Sequence, residues 1–191
     1  MRRLTDKPMG EMKAGARSQP DSRSGPSPQL AVDVVHHSPE WADELGDVCL
    51  IDAAITAYRA AAGITPPAEL SLLLTSDEEI RDLNKNWRGR DEATNVLSFP
   101  LDAPFCEQGT RPIGDVVLAF ETVAREAGER GIQVSQHAAH LVVHGVLHLL
   151  GYDHENDSQA YSMETLEVQV LNALGMPDPY ALEVMTSGEG Q

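Results

Sequence analysis

The chain has 191 residues, of which 41% are hydrophobic, and this is enough to bury the core of one domain. Its two cysteines form no CxxC pair, which excludes a disulfide-stabilised scaffold. Cys49 and Cys106 are therefore expected to be reduced thiols in a cytoplasmic protein. No apolar run reaches the roughly 18 residues that a membrane span needs, so no membrane partner is expected.

Charge is distributed unevenly along the chain. The formal net charge is −16, but the first 30 residues carry six basic and three acidic residues. The remaining residues carry eight basic and 27 acidic residues, a net of −19. Such an acidic body repels polyanions. A nucleic-acid partner would therefore need a local cationic patch or a metal.

Composition divides the chain into a domain and two tails. Residues 1–29 are rich in Lys, Arg, Ser, Gly and Pro, which predicts a disordered basic tail. This tail could contact RNA or act in targeting, although an untethered extension is the simpler interpretation. Residues 30–182 are expected to form the domain, and residues 183–191 a flexible C-terminal tail.

Hydrophobic periodicity predicts four short strands and five helices. In chain order these are a strand at 30–35, a helix at 47–62 ended by Gly63, a strand at 69–74, a helix from Ser76 to about Asn86, strands at 94–99 and 113–118, and helices ending near Glu129, at 135–150 and at 157–174. Ser76 and Glu79 form a predicted capping box. The combination predicts a single α+β (mixed α/β) domain with a small, roughly four-stranded sheet.

The last predicted helix is amphipathic. Glu164 and Glu167 are expected on its solvated face. The opposite, apolar face should pack on the core and comprises Met163, Leu166, Val170 and Leu174.

Five of the seven histidines lie between residues 137 and 154. His144 and His148 are four residues apart, so on a helix they lie on one face about 6 Å apart. Gly151 can end the helix with a positive φ and let the chain return His154 to the same point. His137 and His140 lie earlier on this face, where a supporting or purely structural role is favoured over metal ligation.

Three imidazoles on an otherwise apolar element would be costly unless a metal satisfied them. Three histidine ligands leave a fourth position open for water, which is typical of catalytic zinc, whereas structural zinc usually has a fourth protein ligand. The sequence therefore predicts one Zn²⁺ per chain, bound by His144, His148 and His154 on a buried helix and the turn after it.

Gly145 follows the first expected ligand, at the position where HExxH proteases carry a glutamate base. A zinc hydrolase of peptide or amide bonds is therefore disfavoured. Glycine inside a helix costs about 1 kcal/mol relative to alanine. Its presence suggests that another backbone or a substrate approaches closely.

The segment from His144 to His154, HGVLHLLGYDH, resembles the HGxLHLxGYDH signature of the YbeY family of bacterial endoribonucleases. Further matches are Leu83-Asn84, the run from Trp87 to Asp91, the run from Thr94 to Pro100, Gly114-Asp115, and the closing Leu174-Gly175 with Asp178 to Tyr180. The resemblance spans roughly residues 30–180.

This resemblance implies a metal-dependent, single-strand-specific endoribonuclease acting in 16S rRNA 3′-end maturation and ribosome quality control. It implies zinc on the three histidines and a functional arginine at Arg88. Lys85, Arg88 and Arg90 form the densest basic cluster of the body, and a guanidinium can hold a phosphate through two parallel hydrogen bonds. Ser98 could contact the phosphate backbone, although an ordinary strand hydroxyl explains it equally well.

Other features of the expected site stay open. Asp153 and Asp115 are candidates for orienting a ligand imidazole or a water, or for capping a turn. Trp87 is the one aromatic residue beside the basic cluster on which a base could stack. A second functional hypothesis is a non-catalytic ribosome-assembly factor with a structural zinc. Its acidic surface would complement basic proteins of the small ribosomal subunit.

Overall fold

The computed structural model describes residues 29–41, 46–62, 67–101 and 110–181. The predictions for the basic tail, the C-terminal tail, Gly63 and Cys106 concern positions outside these residues. Within them the chain forms a four-stranded sheet and five helices, which confirms the α+β class. No helix in these ranges is long and apolar enough to cross a membrane.

The sheet is mixed and has the strand order β1-β2-β4-β3. Strand β1 pairs with β2 and β2 pairs with β4 in parallel, whereas β3 pairs antiparallel with β4 and forms one edge. The strands are β1 (Leu30–His36), β2 (Ala68–Thr75), β3 (Val96–Pro100) and β4 (Arg111–Ala119).

The helices are α1 (Asp47–Ala62), α2 (Asp77–Arg88), α3 (Phe120–Arg130), α4 (Val134–Leu149) and α5 (Asp157–Ala173). Helix α4 is the central one and contacts α1, α3, α5, β3 and β4. Nine of its residues are buried, which agrees with the apolar sequence between its histidines. The histidine helix is thus largely buried in the core, with His144 and His148 only half-buried.

The two faces of the sheet are covered unequally. Side chains alternate along a strand, so Leu72 and Leu74 of β2 join the main core with α1, α4 and α5, whereas Leu73 points to the opposite face. That opposite face carries a small cluster in which Ile80 of α2 packs against Leu97 and neighbouring strand residues. Part of it is left open beside α2.

Most helix and strand boundaries predicted from the sequence lie within two residues of those in the structure. Ser76 caps α2 by accepting a hydrogen bond from the Glu79 backbone N–H at 3.5 Å. The Glu79 carboxylate instead bonds Thr75 and His37, so only half of the predicted capping box forms. Strand β3 begins at Val96 rather than at residue 94, and the Asn95 side chain accepts the Val96 N–H at 2.7 Å at this start.

Candidate metal centre

Three histidine side chains converge where α4 ends. His144 and His148 are one turn apart, and their Nε2 atoms are 3.0 Å from each other. Gly151 has φ 89°, a left-handed conformation that suits glycine, and the turn it makes brings His154 back beside them. One ligand atom from each of the three histidines lies within 4.8 Å of the others, so the cluster could hold a metal ion.

The hydrogen bonds behind two of these rings fix their tautomers. His144 donates from Nδ1 to Glu167 Oε1 at 2.8 Å, and His148 donates from Nδ1 to the Tyr152 carbonyl oxygen at 3.0 Å. Both acceptors lack a proton to give, so each neutral ring carries its proton on Nδ1. The two Nε2 atoms lie 3.0 Å apart, and with both rings neutral their lone pairs repel unless the two nitrogens share a proton or a metal ion. The donor set therefore fits a metal.

The environment of His148 favours its neutral ring. Burial lowers the pKa of His148, and the neighbouring His144 and His154 rings lower it further. A neutral imidazole is the form that binds a metal. His154 is exposed, whereas His144 and His148 are half-buried, so the cluster opens to solvent on the side of His154.

Glu167 is the position at which the sequence prediction was wrong. Its side chain is fully buried rather than on a solvated face, and it accepts hydrogen bonds from His144, from His140 at 3.1 Å and from Tyr180. Burial alone would raise the pKa of this carboxyl, but the hydrogen bonds outweigh it and hold the pKa at about 2. An ionised carboxylate behind a ligand imidazole fixes the ring orientation and raises its basicity. Glu164 is exposed, as expected.

The signal for Glu167 was present in the sequence. Met163, Glu167 and Val170 are spaced by four and three residues, so Glu167 lies on the apolar stripe of α5. A carboxylate on such a stripe must find buried donors, and the histidine helix supplies them. Tyr180, after the last helix, carried no comparable signal.

His137 and His140 bond acidic residues beside the three-histidine cluster. His140 is linked to His144 through the shared carboxylate of Glu167. His137 is 1% exposed and bonds Glu126 Oε2 at 2.7 Å, and the same oxygen accepts from Asn95 at 2.9 Å. This second network ties α3 and α4 to the residue that precedes β3.

The predicted cationic residues occupy different surroundings. Arg88 ends α2, and its Nη2 donates to the Ser98 carbonyl oxygen on edge strand β3 at 3.2 Å. Within the described ranges it has no carboxylate partner, so its charge stays available. Lys85 instead pairs with Asp91 at 2.8 Å, and Asp91 also pairs with Arg81 at 2.7 Å. Arg90 is exposed two residues beyond Arg88.

Gly145 links the histidine helix to the same strand. A Cβ added there would lie 2.9 Å from the Val116 side chain and 3.0 Å from Ser98 Oγ. The expected close approach is therefore made by the sheet, and position 145 faces β3 and β4. Ser98 consequently presents its hydroxyl toward α4 and its carbonyl toward Arg88.

The two candidate aspartates, Asp153 and Asp115, lie in different parts of the structure. Asp153 accepts the His154 backbone N–H at 2.8 Å and so caps the turn that carries His154. Asp115 follows Gly114 on β4 and lines the open face of the sheet with Trp87, whereas its neighbour Val116 contacts the histidine helix. Asp115 therefore lies on the sheet face opposite the histidine helix.

Comparison with known proteins agrees with this geometry. A family profile described as Endoribonuclease YbeY matches residues 37–175, which include β2, β3, β4 and the whole histidine segment. The chain belongs to the endoribonuclease YbeY family. Curated YbeY endoribonucleases are similar over most of their length. That of Rhodospirillum rubrum is 52% identical over 71% of this chain and 74% of its own. That of Nitrobacter winogradskyi is 48% identical over 74% of this chain and 77% of its own.

A YbeY endoribonuclease from Sphingopyxis alaskensis is 45% identical over 74% of this chain and 89% of its own length. Among solved structures, a solution structure of a Thermotoga maritima protein has a TM-score of 0.50 and 22% identity. The match covers 76% of this chain and 92% of the Thermotoga maritima chain. It supports the YbeY-type fold.

Proposed function

We propose that this protein is a zinc-dependent, single-strand-specific endoribonuclease of 16S rRNA 3′-end maturation and ribosome quality control in the cytoplasm. His144, His148 and His154 would hold one Zn²⁺ per chain. The observation that supports the proposal is the convergence of the three histidines, with the Nε2 atoms of His144 and His148 lying 3.0 Å apart while the Nδ1 atoms of both rings are hydrogen-bonded elsewhere. Membership of an endoribonuclease family makes an RNA phosphodiester the favoured substrate.

An open coordination position favours a catalytic zinc site over a structural one. His154 is exposed, and among the described residues the cluster has three donors, which would leave a fourth position for water as in catalytic zinc sites. Bound zinc would polarise a phosphoryl oxygen and lower the pKa of a coordinated water toward 7. Glu167 is buried behind His144, so it orients this ring rather than exchanging a proton with substrate.

Arg88 is the proposed phosphate-binding residue. Its one described hydrogen bond is to a neutral carbonyl, which positions the guanidinium beside Ser98 without neutralising it. Further N–H groups remain to bind and neutralise a phosphate as negative charge develops. Arg90 and the Ser98 hydroxyl are proposed as neighbouring contacts. Lys85 would contribute to the local potential, with its charge already shared with Asp91.

The acidic body supports a second candidate, a ribosome-assembly factor with structural zinc that binds basic proteins of the small ribosomal subunit.

An RNA cleavage assay distinguishes the endoribonuclease from the assembly factor. Purified protein should cut single-stranded RNA, lose this activity with a chelator and regain it with added Zn²⁺. The His148→Ala variant should stay inactive under all three conditions. Cleavage of the RNA by the chelated wild type or by His148→Ala at the rate of the zinc-loaded wild type would overturn the proposed function.

A further inference from the structure

The open face of the sheet carries a groove of about 610 Å³ beside α2. Trp87 forms one side of it, is 74% exposed, and packs edge-to-face on Phe99 with ring centroids 6.1 Å apart. Leu101, 50% exposed, lines the same groove. Four large hydrophobic residues are exposed in the described parts of the chain, and two of them therefore lie at this groove.

The groove is continuous with the proposed phosphate site. Trp87 directly precedes Arg88, whose guanidinium reaches the backbone of edge strand β3 at Ser98. Phe99 points from this strand into the groove, and Ser98 points to the opposite face, toward Gly145 and the histidine helix. The groove and the histidine cluster therefore flank the same strand, with Arg88 at its free edge.

Charge limits how this protein can bind RNA. Four of the eight basic residues after residue 30 lie between positions 81 and 90, and two of these are paired with Asp91. Few cations of the domain are thus available for phosphates near this groove, so contacts that carry no charge gain importance for RNA binding there. Stacking of bases on aromatic side chains is such a contact and is common to proteins that bind single-stranded RNA.

We infer that the groove binds one unpaired nucleobase of the RNA, stacked against Trp87, next to the phosphate that Arg88 holds. This inference rests on the proposed function and names a subsite for it. The exposed Asp115 carboxylate also lines the groove. A carboxylate accepts hydrogen bonds from base amino groups but repels phosphate, so it favours the base edge pointing inward and the backbone outward.

The two tryptophans of the chain make the inference measurable. Trp41 is fully buried and Trp87 is exposed, so quenching by acrylamide reports mainly on Trp87. A short single-stranded RNA with 2′-O-methyl groups, which resists cleavage, should quench Trp87 of the zinc-loaded protein and protect it from acrylamide. Trp87→Ala should weaken binding of this RNA about 5- to 150-fold, and Trp87→Phe should lose much less.

Tyr161→Ala is the matched control, because Tyr161 is 73% exposed on α5 and does not line the groove. It should bind the RNA like the parent, and all variants should keep the parental metal content. If Trp87→Ala binds as tightly as the parent while the parent cleaves RNA with zinc, the subsite is wrong and the proposed function stands. If the parent neither binds nor cleaves RNA, both fail. Protection of Trp87 by self-association without RNA would assign the groove to a second copy and would also overturn the inference.

Discussion

At the scale of single residues, the buried Glu167 carboxylate is bonded by His140, His144 and Tyr180. Glu167→Gln keeps the shape of the side chain but removes the negative charge that would strengthen His144 as the proposed metal ligand. We expect zinc affinity to fall about 10- to 100-fold, measured by competition with a chromophoric chelator. Glu164→Gln, on the exposed side of the same helix, should leave the affinity unchanged. Equal affinities for the two variants would contradict the role given to Glu167.

The role of Arg88 in RNA cleavage can be tested independently of metal binding. Arg88→Ala should leave zinc content and melting temperature near the parental values but slow RNA cleavage by about 100- to 1,000-fold. Arg88→Lys should recover only part of the rate, because an ammonium cannot form two parallel hydrogen bonds to a phosphate. Arg125→Ala, which removes an exposed arginine paired with Glu129 on α3, is the control. If Arg88→Ala cleaves RNA at the parental rate, Arg88 is only an exposed residue at the end of α2 and has no role in cleavage.

At the scale of elements, Gly145 lets α4 approach β3 and β4. Gly145→Ala would place a methyl group against Val116 and Ser98, and overpacking of this kind costs about 1–3 kcal/mol. This should exceed the gain in helix propensity of about 1 kcal/mol. Gly128→Ala, on the exposed side of α3 with nothing within 4 Å, should instead stabilise the fold by about 0.5–1 kcal/mol. Urea unfolding of both variants measures the contrast, and a more stable Gly145→Ala would refute the packing argument.

The difference between local and distant contacts determines which features the sequence could predict. Helix and strand positions and the convergence of His144, His148 and His154 follow from spacing within short segments, so they were predictable. The sheet order places β4 between β2 and β3, and this depends on pairings between segments far apart in the chain. The sheet face on which Asp115 lies depends on these distant pairings, so the sequence left its role open. The burial of Glu167, by contrast, had a local signal in the apolar stripe of α5.

At the scale of the whole molecule, zinc should act as part of the folded structure. A ligand that binds only the folded state stabilises it by about 2.7 kcal/mol at a free concentration 100 times its Kd. For a domain of this size that corresponds to a rise in melting temperature of about 5–11 °C. Calorimetry of the chelated and zinc-loaded protein should show this rise, and His148→Ala should not. An equal rise in His148→Ala would mean that zinc stabilises the fold from another site.

The central claim is that one metal ion is held by the three converging histidines. Elemental analysis of the purified parent and of alanine variants tests it most directly. We expect about one zinc per chain in the parent and in His137→Ala, whose ring bonds Glu126 away from the cluster. Substitution of His144, His148 or His154 should remove most of the metal. Full zinc occupancy in all three of those variants would contradict the account.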